Sequence, residues 1–303
     1  MVKKTMPRYH DRDHFYKYVT KDVAKMIIKN HTLRWSCPID FNDPFDHRYA
    51  FIDESRLEAT TELIIQRFET YVWERDDVQF DETYPFGLTL AHFRRNRESI
   101  PREEFRKNAE IIRQQMVENG RRALFEWNRE TEVMLLQTRV LCLAEKNDNL
   151  LMWAHYGSAH TGAVFKLNAM DDLDVPLLVA KQVRYSHEYP RLVDEGEFVD
   201  HMLCVRRIDM GKREAELLLV KGVNWAYEHE WRVSLTDSSY PLGGFIDFEE
   251  PAPVFGAIYL GCRMPEGDKA EILILAEESL PSMEIWQAVQ GRNGYTLQFE
   301  RLK

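Results

Sequence analysis

Between residues 54 and 137 the chain leaves the aromatic, β-branched patterning found on either side and becomes charge-rich and helix-forming. That switch constrains the fold more than any other feature. Residues 58–68 are dense in strong helix formers. A second helix is expected from Pro101 or Arg102 to about Trp127, because proline suits an early helical position. Residues 76–85 read as the loop between them. The whole chain, 303 residues, lies near the size at which one core stops growing, about 250–300. One α+β domain over residues 1–303 is expected, with 54–137 as a helical insertion packed on its sheet.

The flanking segments carry strand signals. His14-Phe15-Tyr16-Lys17-Tyr18-Val19 has the content of a strand, and Thr20 is then a helix N-cap with Asp22 in the first turn. Val23, Met26 and Ile27 fall on one helical face, and Asn30 or His31 ends that helix. Thr32-Leu33-Arg34-Trp35-Ser36 reads as a second strand, after which Pro38 and Pro44 force an irregular loop. Val140-Leu141-Cys142-Leu143-Ala144 suits a central strand. Residues 149–156 suit a short helix closed by Gly157. Further strands are expected at 162–167, 181–185, 230–235, 257–260, 284–287 and 295–299, and helices at 197–220 and 268–280. Arg292-Asn293-Gly294 is a turn between the last two strands. The sequence shows neither an internal repeat nor a low-complexity tract.

Composition narrows the class. With 44% apolar and 30% charged residues, the chain has a globular balance that argues against wholesale disorder. No apolar run approaches the ~20 residues that span a bilayer. The N-terminal ten residues have basic groups but no apolar stretch after them, so no secretory signal is expected. Cysteines at 37, 142, 204 and 262 fit neither a zinc site nor a small disulfide framework. Cys142 and Cys204 read as buried hydrophobes, and a cytoplasmic location without membrane contact is expected. The formal charge of −10 argues against a broad nucleic-acid surface.

Three separated segments concentrate polar chemistry. Phe41-Asn42-Asp43-Pro44-Phe45-Asp46 is either a rigid turn bonding its own backbone or a device that projects Asn42, Asp43 or Asp46 into a pocket. Trp153, His155, Tyr156 and His160 cluster around Gly157. His155 and His160, five apart, do not share a helix face, so no two-histidine metal site is expected. The third segment is Tyr227-Glu228-His229-Glu230-Trp231-Arg232. On a strand, Glu230 and Arg232 share one face while Trp231 and Val233 share the other. The charged pair is either a surface ion pair or the lining of a cleft, where arginine keeps the glutamate ionised and oriented. The basic stretches 92–97 and 121–122 are followed by acidic residues and read as solvated helix faces. Dinucleotide-binding glycine motifs, phosphate loops, zinc-protease motifs and nucleophile elbows are all lacking.

These residues resemble the bacterial domain-of-unknown-function family numbered 2971. The likeness runs through Tyr16-Lys17-Tyr18, Leu33-Arg34-Trp35-Ser36 with the Phe41 to Asp46 block, Leu151-Met152-Trp153-Ala154-His155-Tyr156 with His160-Thr161-Gly162, and Lys221 through Arg232. More distantly the chain resembles the ADP-ribosyltransferase superfamily, in which a strand–helix–strand opening is followed by a later strand with a catalytic glutamate. That resemblance implies a split, mixed or antiparallel sheet and NAD as cofactor, with no metal. It implies transfer of ADP-ribose or hydrolysis of NAD, as in a toxin or phage-defence effector with a protein or nucleic-acid target, or a partner in a toxin–antitoxin system. It assigns catalysis to Glu230, Ser36 and Lys17, and cofactor binding to Tyr16, Tyr18, Arg34, Asn42, Asp43, His155, Tyr156 and Arg232. The first strand departs from the superfamily in offering Tyr16, Lys17 and Tyr18 where His or Arg is usual. A metal-dependent nuclease or phosphoesterase built on Asp43, Asp46 and Glu230 and a non-catalytic sensor or partner-binding module remain as alternatives.

Overall fold

A computed structural model describes residues 7–49 and 54–303. Residues 1–6, on which part of the N-terminal reading falls, lie outside the described residues. The first half runs β1 (His14–Val19), α1 (Lys21–Asn30), β2 (Thr32–Ser36), α2 (Leu57–Trp73), α3 (Pro85–Arg95), α4 (Arg102–Leu136), β3 (Thr138–Ala144) and α5 (Leu150–His155). There follow β4 (Ala163–Asn168), β5 (Lys181–Gln182), β6 (Arg184–Ser186), α6 (Glu195–Met202), α7 (Met210–Leu217), β7 (Val220–Gly222) and β8 (Glu230–Thr236). The chain closes with β9 (Phe245–Glu249), β10 (Phe255–Leu260), α8 (Glu266–Ser279), β11 (Glu284–Gln290) and β12 (Leu297–Arg301). Among the described residues no helix is long and apolar enough to cross a membrane.

Two compact units result, one of Met1–His47, Met134–His187 and Leu219–Lys303, the other of Arg48–Val133 and Glu188–Leu218. The first holds a mixed sheet ordered β12-β11-β10-β4-β1-β3-β2-β9, with β8 on β3 and β5 on β8. β10 and β11 run parallel, and the other pairs within it are antiparallel. β8 pairs with β3 along its whole length, from Thr138↔Thr236 to Ala144↔Glu230. The other edge of β3 is therefore shared: β1 meets it at Tyr16↔Ala144 and β2 at Ser36↔Val140. The sheet forks there.

Alternation decides which sheet face is dry. Phe15, Leu33, Trp35, Leu141, Leu143, Phe165, Leu167, Val233 and Ile258 join Ala24, Ile27 and Ile28 of α1 and Ile272 and Ala276 of α8 in one core. Thr20 caps α1 by accepting from Val23 N at 3.3 Å, as its position before the apolar run requires. The buried stripe of α1 is Ala24, Ile27 and Ile28, while Met26 faces outward. The expected stripe is thus rotated by one residue, because Ile28 extends the apolar run.

The second unit is helical. Ile64, Leu90, Val199 and Leu203 form its main core, and Arg67 and Tyr71 of α2 both bond Asp200 of α6, at 2.6 and 2.7 Å. The helix expected over 197–220 is two helices and a strand. Asp194 and Asp209 each cap a new N-terminus, and Val220 begins β7. The stretch 92–97 is only in part a solvated face. Arg94 turns inward over the Phe80 ring and donates to Tyr71 O at 2.6 Å, while Arg97 pairs with Asp76. All four cysteines are free, and the fully buried one is Cys37.

Candidate functional site

Register sets out the site on the face opposite the main core. Residues paired across antiparallel strands point the same way. Ser36 therefore shares a face with Val140, Cys142 with Arg232, and Ala144 with Glu230 and Tyr16. Arg34, two residues before Ser36, stands on that face as well. Lys17 lies at the fork, where its Nζ donates to Cys142 O at 3.1 Å. Burial lowers the Lys17 pKa, against the opposing pull of Cys142 and Glu230.

Glu230 and Arg232 form neither a surface ion pair nor an open lining; both are buried. The guanidinium donates through Nε to Glu230 Oε1 at 2.8 Å and through Nη2 to Glu230 Oε2 at 3.0 Å. It also clamps Asp46, Nη2 to Oδ2 at 2.5 Å and Nη1 to Oδ1 at 3.1 Å. Lys221 on β7 bridges Glu228 Oε2 at 2.6 Å and Glu230 Oε2 at 3.1 Å, with Asp46 at 3.9 Å. Tyr156 donates to Glu228 Oε1 at 2.7 Å, and Glu230 N donates to the Tyr185 hydroxyl at 2.8 Å. His47 completes the cluster, its Nδ1 2.9 Å from Asp46 Oδ1. Aromatic rings pack on the cations, Phe41 against Arg232 and Trp225 against Lys221.

Such a cluster is stable only when each charge has a partner, because a buried unpaired ion costs several kcal/mol. Burial works against ionised Glu230, yet Arg232 and Lys221 prevail and hold its carboxyl down at about 2. Burial likewise opposes ionised Asp46, but His47 and Arg232 keep it well below the usual carboxylate range. Glu228 goes the other way: burial pushes it up, assisted by the negative charge of Glu230. Lys221 is raised by Glu230 and Glu228 in spite of burial. Burial and Glu228 push the Tyr156 phenol upward, and burial brings Tyr185 to about 12.

The other expected site residues have different surroundings. Arg34 forks onto Asp247 at 2.9 and 3.1 Å and stacks over Phe245. Tyr18 donates to Lys146 O at 2.8 Å and packs against Trp153. Tyr16 is half-buried in an aromatic group with Tyr259, and burial raises its pKa. Asp43 accepts from Phe45 N at 2.9 Å, the self-bonded turn that was one of its two readings. Asn42 is exposed and hydrogen-bonds Tyr156. His155 is exposed, with its ring near Tyr156 and Tyr227. The structure thus gathers Glu230, Arg232, Tyr156 and Asn42, with Ser36, Tyr16 and Tyr18 on the same sheet face, the two tyrosines in aromatic packing of their own, while Lys17 alternates to the other face and reaches the fork from there. Lys221, Glu228 and His47 were missed as site residues. The signal for the first was a lone lysine ending the apolar run 217–220, and for the second a glutamate two residues from Glu230.

Among the described residues, no group of three His, Cys, Asp or Glu side chains is arranged to hold a metal ion. Compared with protein-family models, curated proteins and solved structures, the chain matches none, so its resemblances rest on the residues quoted above.

Proposed function

We propose that this protein acts on the N-glycosidic bond of NAD, transferring ADP-ribose or hydrolysing the dinucleotide. One observation carries the reading: Arg34, Ser36, Glu230 and Arg232 share one face of a forked sheet, with Lys17 in the fork. In such a reaction nicotinamide leaves with the bonding electrons, and positive charge develops at the ribose C1′ carbon. A carboxylate held ionised beside that carbon stabilises the charge. Glu230 has that property, since Arg232 orients both its oxygens. Lys221 is the partner it exchanges for a ribose hydroxyl, because Glu228 retains the ammonium. An activity that consumes NAD or marks a target suits a toxin or phage-defence effector.

The test is release of nicotinamide from NAD, with and without candidate targets, followed by chromatography. Wild-type release should fall about 100-fold or more in Glu230→Gln, the usual scale for losing a charge-stabilising group. Equal rates in the two proteins would sink the assignment. A metal-dependent phosphoesterase has less support. Asp43 is committed to its own turn, and Asp46 and Glu230 are engaged by organic cations. A partner-binding module is the second reading, on the observation that half-buried Tyr16, Tyr259, Trp286 and Phe299 form one aromatic group, with Tyr259 stacked on Trp286. Binding of partner without any turnover of NAD would favour it.

A further inference from the structure

We propose that His47 is the acid–base group of this site and that Asp46 is the carboxylate that fixes its tautomer. Three observations converge on this residue. Its ring is buried, with Nδ1 2.9 Å from Asp46 Oδ1 and 3.4 Å from Arg232 Nη1. Its Nε2 is buried and has no hydrogen-bond partner among the described residues. Its backbone is left-handed, at φ 59°, a conformation that a non-glycine residue holds at some cost.

The tautomer follows from donor counting. A guanidinium N–H has no lone pair to offer, so Arg232 cannot accept a proton from His47. Asp46 Oδ1 accepts, and it also receives the His47 backbone N–H at 2.9 Å. A proton therefore lies on Nδ1, which in the neutral ring leaves the lone pair on Nε2. Orienting an imidazole through one nitrogen while leaving the other free is how a carboxylate equips histidine as a base. Against the ring stand Asp46 on its own segment, Arg232 on β8 and Phe41, packed edge-on at 5.0 Å; one contact further are Glu230 on β8, bound to Arg232, and Lys221 on β7, 3.9 Å from Asp46. Asp46, Glu228 and Glu230 outnumber Lys221 and Arg232 by one negative charge, so the cluster accommodates one further proton.

The substrate part of this inference rests on the glycosidic-bond reading, and the tautomer part does not. As the nicotinamide–C1′ bond breaks, an oxygen of water or of a target hydroxyl bonds to C1′ and must shed a proton. His47 Nε2 takes it, and releases it to solvent after product leaves. Since Nε2 is sealed in the free protein, proton uptake accompanies displacement of the residues that cover it.

The test uses the full chain labelled with ¹⁵N-histidine, the His47 signals being identified by their loss in His47→Asn. The expected spectrum at pH 7–9 shows a protonated Nδ1 and an unprotonated Nε2. A proton on Nε2 throughout that range would overturn the proposal, whether or not NAD is a substrate. The second arm is the pH profile of nicotinamide release. Asparagine keeps a donor where Nδ1 stood, so a merely structural role predicts near-normal turnover and an intact acidic limb in His47→Asn. The proposal expects a fall of about 100-fold and loss of that limb, with a melting temperature near wild type. If wild type releases no nicotinamide, the glycosidic reading fails alone and the spectrum decides the tautomer.

Discussion

Two arginines of the sheet unit are equally buried and differently satisfied. Arg139 on β3 faces the side opposite Cys142 and gives its protons to four carbonyl oxygens, those of Leu136, Thr138, Pro241 and Gly243, at 2.5–3.0 Å. Arg232 on β8 gives its protons to two carboxylates. Carbonyls do not titrate, so the first arrangement pins the C-terminal end of α4 and the 241–243 turn at any pH. Carboxylates titrate and can exchange partners, so the second is electrically adjustable. A buried cation of the first kind is architecture, and one of the second kind is material for a site.

The largest effect should separate the two directly. Arg232→Met leaves Asp46 and Glu230 buried with Lys221 as their one remaining charged partner among the described residues named above, and should cost about 3–5 kcal/mol in urea unfolding. The pH dependence gives a sharper reading. Asp46 and Glu230 have depressed pKa values, so the stability they confer is present above the unfolded value near 4 and is lost as pH falls toward about 2. Wild type should weaken steeply across that window, and Arg232→Met should not. A variant that kept the steep acid limb would break the comparison.

Arg139→Met should cost less, about 2–3 kcal/mol, through orphaned carbonyls, and its slope with pH should match that of wild type. Glu250 supplies a third case, a buried carboxyl with no ion pair among the described residues, raised by burial to about 7. A raised value means that its stabilising contribution is full below about 4.5 and fades as pH climbs through 7. Glu250→Gln should therefore leave stability at pH 4 unchanged and add on the order of 2 kcal/mol at pH 8. A gain of equal size at both pH values would show that the carboxyl is not the cause.

Local rules made much of the sheet legible. Thr20 before an apolar run marked β1, α1 and β2, and Asn149, which accepts from Leu151 N and Met152 N, marked α5. The strand expected over 181–185 is interrupted at Val183, whose N–H goes to Glu230 O, so a tertiary partner broke it. β9 was missed because Phe245-Ile246-Asp247-Phe248-Glu249 is a short edge strand entered through two glycines at positive φ. Glu230 and Arg232 were legible as a same-face pair because strand alternation is local. Their closure by Asp46 and His47 was not, since nothing in the first fifty residues encodes the position of a strand so far downstream. Lys221 was hidden by a helical reading over 197–220 that ended beside it and left β7 unrecognised.

The separation of Asp46 and Arg232, 186 positions along the chain, also imposes a timetable on biosynthesis. At about 5–20 residues per second, the acidic half of the cluster leaves the ribosome roughly 10–40 s before its guanidinium exists. β3, similarly, has only one pair each with β1 and β2 until β8 arrives. The nascent chain therefore completes this buried charge cluster only after β8 has been made, and a product truncated before β8 lacks it.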